Sequence, residues 1–294
     1  MGTYILFRRQ FVSLWNQKFR FFFRLFVPIF VFLFLLLIFN LVSMEREPTL
    51  LARENFQFGT GLIFLTTITN SFSLTVVQIQ DNINNTINDI KVTPIKHWKI
   101  RYSYFLFNFA INFITTLFVF MIFIIFVIGF DYSQIVNILN SSKVSLSFLL
   151  MVFGTLFGSL IFPILLSRLK SLTLYQALNI MVFLFGGYLI GSFFPLSYYP
   201  AWLRSFCSII PSTHLLQVTR HTFYLGTLNE ASNLVLNPIS LFNYNISVAS
   251  SLIYVSLWVL SLFWINIFLD KIILGWNRVK KYLKEYFKKS LKEQ

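Results

Sequence analysis

The sequence predicts an all-α polytopic membrane protein, and three observations carry that prediction. Six apolar stretches approach the length a bilayer requires: Phe22–Val42, Phe56–Ile79, Tyr102–Phe130, Leu146–Leu166, Thr173–Phe193 and Val248–Leu269. At about 1.5 Å of rise per residue, roughly 20 helical residues cross a hydrocarbon core of about 30 Å. Basic residues alternate between the gaps: 19 of the 24 Lys and Arg lie before the first stretch or just inside it, at 80–101, at 167–172, and after residue 270. The chain is also 56% hydrophobic, with 38 Phe and only 12% charged residues, more apolar surface than a single water-soluble core hides.

The segments follow in order. Residues 1–21 are expected to form an interface helix, because Tyr4, Phe7, Phe11, Leu14, Trp15 and Phe19 recur at helical spacing while Arg8, Arg9, Gln17 and Lys18 take other positions. Residues 22–270 form the six-span core of a single transmembrane domain. The first apolar run is too long for a leader's hydrophobic region, so it is read as a retained span. Residues 271–294 form a basic tail in which Val279, Tyr282, Leu283, Tyr286 and Phe287 make one stripe flanked by lysines, suited to an anionic lipid surface. The positive-inside rule places both termini in the cytoplasm and the gaps after spans two and four on the same side.

Charge and chemistry narrow the function. The formal charge of +14 lies beside spans and forms no groove-shaped patch, so membrane lipid explains it and nucleic acid does not. The single Cys207 excludes an intramolecular disulfide and a cysteine metal cluster. No Asp, Glu, Lys or Arg falls near a span centre, which disfavours ion-driven carriage. His97, His214 and His221 all lie in gaps, no catalytic or metal-ligating spacing is visible, and no phosphate-binding GxxxxGK[ST] occurs. The chain is expected to be no enzyme and to bind no cofactor, and driven transport would need an energy source on another chain.

Polar residues do occur within the spans. Thr66, Asn70 and Ser73 share one face of span two, and Asn108, Asn112 and Thr115 one face of span three. Such stripes either bond between helices or line a substrate path. Gly154 and Gly158 suit close helix packing in span four.

Two gaps are more specific. Asp89-Ile90-Lys91-Val92-Thr93-Pro94-Ile95-Lys96-His97-Trp98 is a short amphipathic stretch with a central proline. Between spans five and six run Phe194-Pro195-Leu196, Tyr199-Pro200-Ala201-Trp202-Leu203, Ile209-Ile210-Pro211-Ser212, then Arg220 and Gly226. Its apolar residues between prolines predict short re-entrant helices, helical or packed on protein because irregular backbone is costly in lipid. Arg220 would meet an anionic group at the exit or reach lipid phosphate. Both gaps also read as ordinary interfacial loops.

Together these segments resemble the membrane subunits of bacterial type-2 ATP-binding-cassette exporters: a surface helix before six spans, Lys-x-Thr-Pro-Ile at Lys91–Ile95, and the Pro-rich series between spans five and six. Ile210 stands where relatives often carry Asn. The resemblance implies a permease of the bacterial cytoplasmic membrane, paired with a second copy or homologue and powered by a cytoplasmic ATPase that binds ATP and Mg. It implies that Asp89, Lys91, Thr93, Pro94, Ile95, Lys96 and Trp98 form a coupling helix on that ATPase. Thr66, Asn70, Ser73, Asn108 and Asn112 would line the substrate path, and Pro195, Pro200, Trp202, Pro211 and Arg220 the external gate. An uncharged path bearing Thr, Asn, Ser and Phe suits an amphipathic or lipid-linked cargo. A sensor or immunity protein on the same scaffold, or a secondary carrier, are the alternatives.

Overall fold

The computed structural model describes residues 2–16, 18–42, 48–93, 95–129, 141–194, 196–224, 239–241 and 244–290. In chain order its helices are α1 (Gly2–Asn16), α2 (Lys18–Val42), α3 (Pro48–Leu74), α4 (Val76–Ile83), α5 (Thr86–Val92), α6 (His97–Gly129), α7 (Ser141–Leu165), α8 (Leu172–Leu189), α9 (Ala201–Cys207), α10 (Pro211–Tyr224) and α11 (Val248–Ser290). Among the described residues five stretches are long and apolar enough to cross a membrane: Phe56–Ile83, Trp98–Phe126, Lys143–Leu165, Leu172–Leu189 and Val248–Leu269. The predicted first span, Phe22–Val42, falls in α2, where the apolar run Phe26–Ile38 is shorter than these five.

The architecture is nearly all helical, with one correction. Ile239–Leu241 (β1) and Tyr244–Ile246 (β2) pair antiparallel, with Ile239 opposite Ile246 and Leu241 opposite Tyr244. β-branched and aromatic residues on either side of a two-residue link favour this hairpin over a helix.

The bundle is built around α3, which packs against α2, α6, α7, α8 and α10. Its core joins Phe32 and Leu36 of α2, Phe64 and Leu65 of α3, Val119 and Phe123 of α6, Leu150 of α7, Leu215 of α10 and Val255 of α11. The helices approach closely where residues are small. A Cβ on Gly158 of α7 would sit 3.1 Å from the Ser71 side chain and 3.2 Å from the Thr67 carbonyl oxygen, so the Gly154/Gly158 pair serves contact with α3. Asn108 and Asn112 of α6 then tie these helices together. Asn108 Nδ2 donates to the Ser71 carbonyl at 2.8 Å, and its Oδ1 accepts from Ser71 Oγ at 3.0 Å and Ser159 Oγ at 3.3 Å.

Several predicted boundaries move. The second span breaks at Thr75, where α3 gives way to α4; Ser73 and Thr75 hydroxyls donate to the carbonyls of Asn70 and Ser71, a bonding pattern that bends helices. The predicted fifth span, in α8, ends at Leu189, because Gly191 takes the left-handed φ of +72° and turns the chain. The basic tail is not a separate helix, since α11 runs unbroken from the last span through Ser290. The side chains of its predicted stripe, Val279 to Phe287, lie outside the described residues, as do Pro94 and Pro195.

Candidate functional site

One end of the bundle carries a platform made by α1, α4, α5 and the start of α6. α1 buries Leu6, Gln10 and Leu14, one residue per turn, against α6. Leu14 packs with Leu74, Phe107 and Ile111, and Gln10 Nε2 donates to Ser103 Oγ at 3.2 Å. Of the predicted apolar face, Tyr4 to Phe19, Leu14 is buried here. Phe7 and Phe11 pack only partly, while Tyr4, Trp15 and Phe19 stay exposed, because the face that meets protein is rotated towards Leu6 and Gln10. The helix is docked on its own chain as well as being amphipathic.

A polar lock holds this docking. Arg9 donates to Asp81 Oδ2 of α4 at 2.7 Å, and Tyr104 Oη of α6 donates to the same oxygen. Three elements distant in sequence thus share one carboxylate.

α5 sits beside α1. Ile87, Ile90 and Ile95 pack with Leu6, Ile100 and Tyr104. The predicted coupling helix at 89–98 shifts: the helical turn pair is Thr86–Val92, Thr93 is extended at ψ 156°, and Trp98 already belongs to α6. A residue preceding proline is pushed out of the helical region, so Pro94 sets this stop. Asn85 opens α5 in the left-handed conformation, at φ 57°. With the isoleucines turned inward, Asp89, Val92, Thr93, Lys96 and Trp98 face outward, Val92 being 88% exposed. Lys99 Nζ stands 5.8 Å from the Trp98 ring. The Lys91 side chain lies outside the described residues.

A profile of the ABC-2 type transporter family matches residues 1–224, from α1 through α10. The chain belongs to the ABC-2 type transporter family. It is a permease subunit of a type-2 ABC transporter, a membrane transport component rather than a catalyst, and such subunits work with an ABC ATPase. A comparison with curated proteins gives no match.

Within this permease, α8 touches the bundle mainly through α3, and a cavity opens on each side of it. The first, about 400 Å3, lies between α2, α3 and α8 and is walled by Phe23, Val31, Leu62, Phe183 and Leu184 together with polar residues of α3. Thr66, Asn70 and Ser73, predicted for the substrate path, line it, joined by Thr69 and by Asn179 of α8. Asn108 and Asn112 do not. They are fully buried in bonds between helices, Asn112 Nδ2 donating to the Thr67 carbonyl at 2.9 Å and its Oδ1 accepting from Asn70 Nδ2 at 3.1 Å. The second cavity, about 450 Å3, is walled only by apolar side chains and Gly186, among them Phe157, Met181, Phe185, Ile210 and Trp258.

The predicted gate residues divide. Pro200 precedes α9, Trp202 is 72% exposed on it, and Pro211 begins α10 in the bundle interior. Arg220 departs from both expectations for its side chain. It is 1% exposed. Its guanidinium donates to the carbonyls of Gly191 at 3.0 Å, Gln57 at 3.1 Å and Ser192 at 3.4 Å. Ser192 Oγ also donates to the Gly61 carbonyl at 2.8 Å, and a Cβ on Gly61 would fall 2.4 Å from the Ser192 carbonyl oxygen. At the opposite end of α8, Tyr175 Oη donates to the carbonyls of Phe72 and Ser73. Both ends of α8 are therefore fastened to α3.

Proposed function

We propose that this chain is the membrane-spanning half of an ATP-driven exporter that moves an amphipathic or lipid-linked substrate out of the cytoplasm or inner leaflet. The observation that carries this reading is the platform. α5 and the turn after it are anchored by Ile87, Ile90 and Ile95 on α1 and α6, yet Asp89, Val92, Thr93, Lys96 and, at the start of α6, Trp98 stay exposed. A short helix held rigidly from behind and bare in front suits a lever, because force on its outer face passes into α1 and α6 without local rearrangement. An ATPase that binds ATP and Mg would seat on it.

The rest of the reading follows from that assignment. α2 counts as a sixth crossing, both termini face the cytoplasm of a bacterial cell, and the basic residues before α2 and after α11 hold that orientation. A second copy or a homologue completes the path, with α8 and α2 presenting apolar residues such as Phe26, Phe30, Ile180 and Phe185 outward. Cargo passes through the cavity lined by Thr66, Asn70 and Ser73, and Pro195, Pro200, Trp202, Pro211 and Arg220 belong to its outer closure.

The test is the double variant Val92→Asp/Trp98→Asp, on the outward face. It puts unpaired carboxylates beside an apolar contact, an arrangement that costs several kcal/mol. The expected result is normal membrane insertion with loss of ATPase co-purification and of substrate-stimulated hydrolysis, while Asn229→Asp/Ser232→Asp changes neither. A double variant that keeps a fully coupled ATPase overturns the proposal, as does the absence of any ATPase partner.

A further inference from the structure

We infer that the cavity between α2, α3 and α8 selects a headgroup that donates hydrogen bonds, hydroxyl or ammonium, and rejects an anionic one. The inference rests on the substrate path proposed above and adds the chemical class of what it takes.

The hydroxyl protons on this wall all go to backbone carbonyls of α3. Thr66 Oγ1 donates to the Ile63 carbonyl at 2.7 Å, Thr69 Oγ1 to Leu65 at 2.9 Å, and Ser73 Oγ to Asn70 at 2.8 Å. A hydroxyl owns one proton, and these three protons are committed to the helix's own backbone. What remains for the cavity is lone pairs.

Asn70 adds a fourth acceptor. Asn112 Nδ2 is committed to the Thr67 carbonyl, which turns Asn112 Oδ1 towards Asn70 and requires Asn70 to present its nitrogen there. Asn70 Oδ1 is left buried with no partner, on a residue 2% exposed in the cavity wall. An unpaired buried acceptor is an unfavourable state that a donor relieves.

Residues 66, 69, 70 and 73 follow the i, i+3, i+4, i+7 rule, so the oxygens form one stripe along about 10 Å of α3. Among the described residues no Lys, Arg or His lines the cavity, and Asn179 is the lining side chain off α3 that offers an amide NH2. An alkyl phosphate or carboxylate entering here would leave its water and meet oxygens. An ammonium or a polyol would exchange water for the same oxygens while its chain lies on Phe23, Val31 and Leu184.

The experiment uses the full chain in phosphatidylcholine nanodiscs, with empty nanodiscs as the partition control. Saturable binding is measured for radiolabelled dodecylammonium, dodecylglycerol and dodecyl phosphate, which share one chain length and differ in headgroup. The first two are expected to bind at least about tenfold more tightly than the phosphate, the scale of one well-made hydrogen bond. Which of the two binds better tells whether positive charge or hydroxyl number sets the preference. The shape-conserving variant Thr66→Val/Thr69→Val/Ser73→Ala should reduce the preference to about threefold or less, and Asn70→Leu should weaken both donor probes. Dodecyl methyl ether should bind both the wild type and the triple variant equally. Phosphate binding as tightly as the donors, no saturable binding by any probe, or a triple variant with its full preference would each overturn the inference. No ATPase is present, so such a failure leaves the coupling proposal standing, and failure of the coupling test leaves this selectivity measurable.

Discussion

At position 220 a guanidinium donates to three carbonyl groups, of which that of Gln57 also accepts from Thr60 Oγ1. Arg220→Met keeps the length and removes the donors, and each buried carbonyl left unsatisfied costs about 1–3 kcal/mol. The purified variant should unfold at a clearly lower temperature than the wild type, and Arg220→Lys should recover only part of the loss, because a compact ammonium cannot reach three carbonyls as a planar fork does. An unchanged midpoint for Arg220→Met would show that the contacts are dispensable. Cys207 makes a second prediction at this scale. It is fully buried, and burial pushes its thiol upward, away from the reactive thiolate. A maleimide should label it only after denaturation, and rapid labelling of the folded protein would contradict the packing of α9. The sequence named Arg220 but not its role, since Gly191, Gln57 and Ser192 come from segments with no periodic link to it. By contrast, Thr66, Asn70 and Ser73 were readable because helical spacing alone puts them on one face. Thr69 lay in the same frame.

Among elements, α1 depends most on tertiary contact. Its helical period was legible, whereas its buried face was not: Arg9 and Asp81 are 72 residues apart, and nothing local in Gln10 foretells Ser103. Asp81→Asn should weaken the docking by removing the charge that Arg9 meets while leaving Tyr104 an acceptor. Since Arg9 is partly exposed, the ion pair itself contributes modestly, about 0.2–1 kcal/mol. Hydrogen exchange in α1 should therefore rise severalfold while exchange in α7 stays unchanged. Equal exchange in wild type and variant would mean that Leu6 and Leu14 hold the helix unaided. The coupling stretch shows the same limit of sequence reading. Pro94 announces a stop and does not say which side of it is helical. Here the helix precedes it, with Ile87 and Ile90 reaching α1.

For the whole molecule, the alternation of basic residues predicts that reporters fused to either terminus stay inside intact cells; a terminus found outside would reverse the orientation and move α5 away from ATP. The long apolar runs made the membrane class legible at once, because hydrophobic length is a property of sequence. The packing order around α3 was not legible, since it follows from small residues and amides meeting across helices. One consequence of that packing concerns α8. Tyr175 and the Arg220 cluster pin its two ends to the same neighbour, so it cannot slide or swing out as a rod. Only its middle can bow. That middle stands between two grooves, one with a stripe of oxygens and one wholly hydrocarbon, so cargo on either side meets the helix where it is held least.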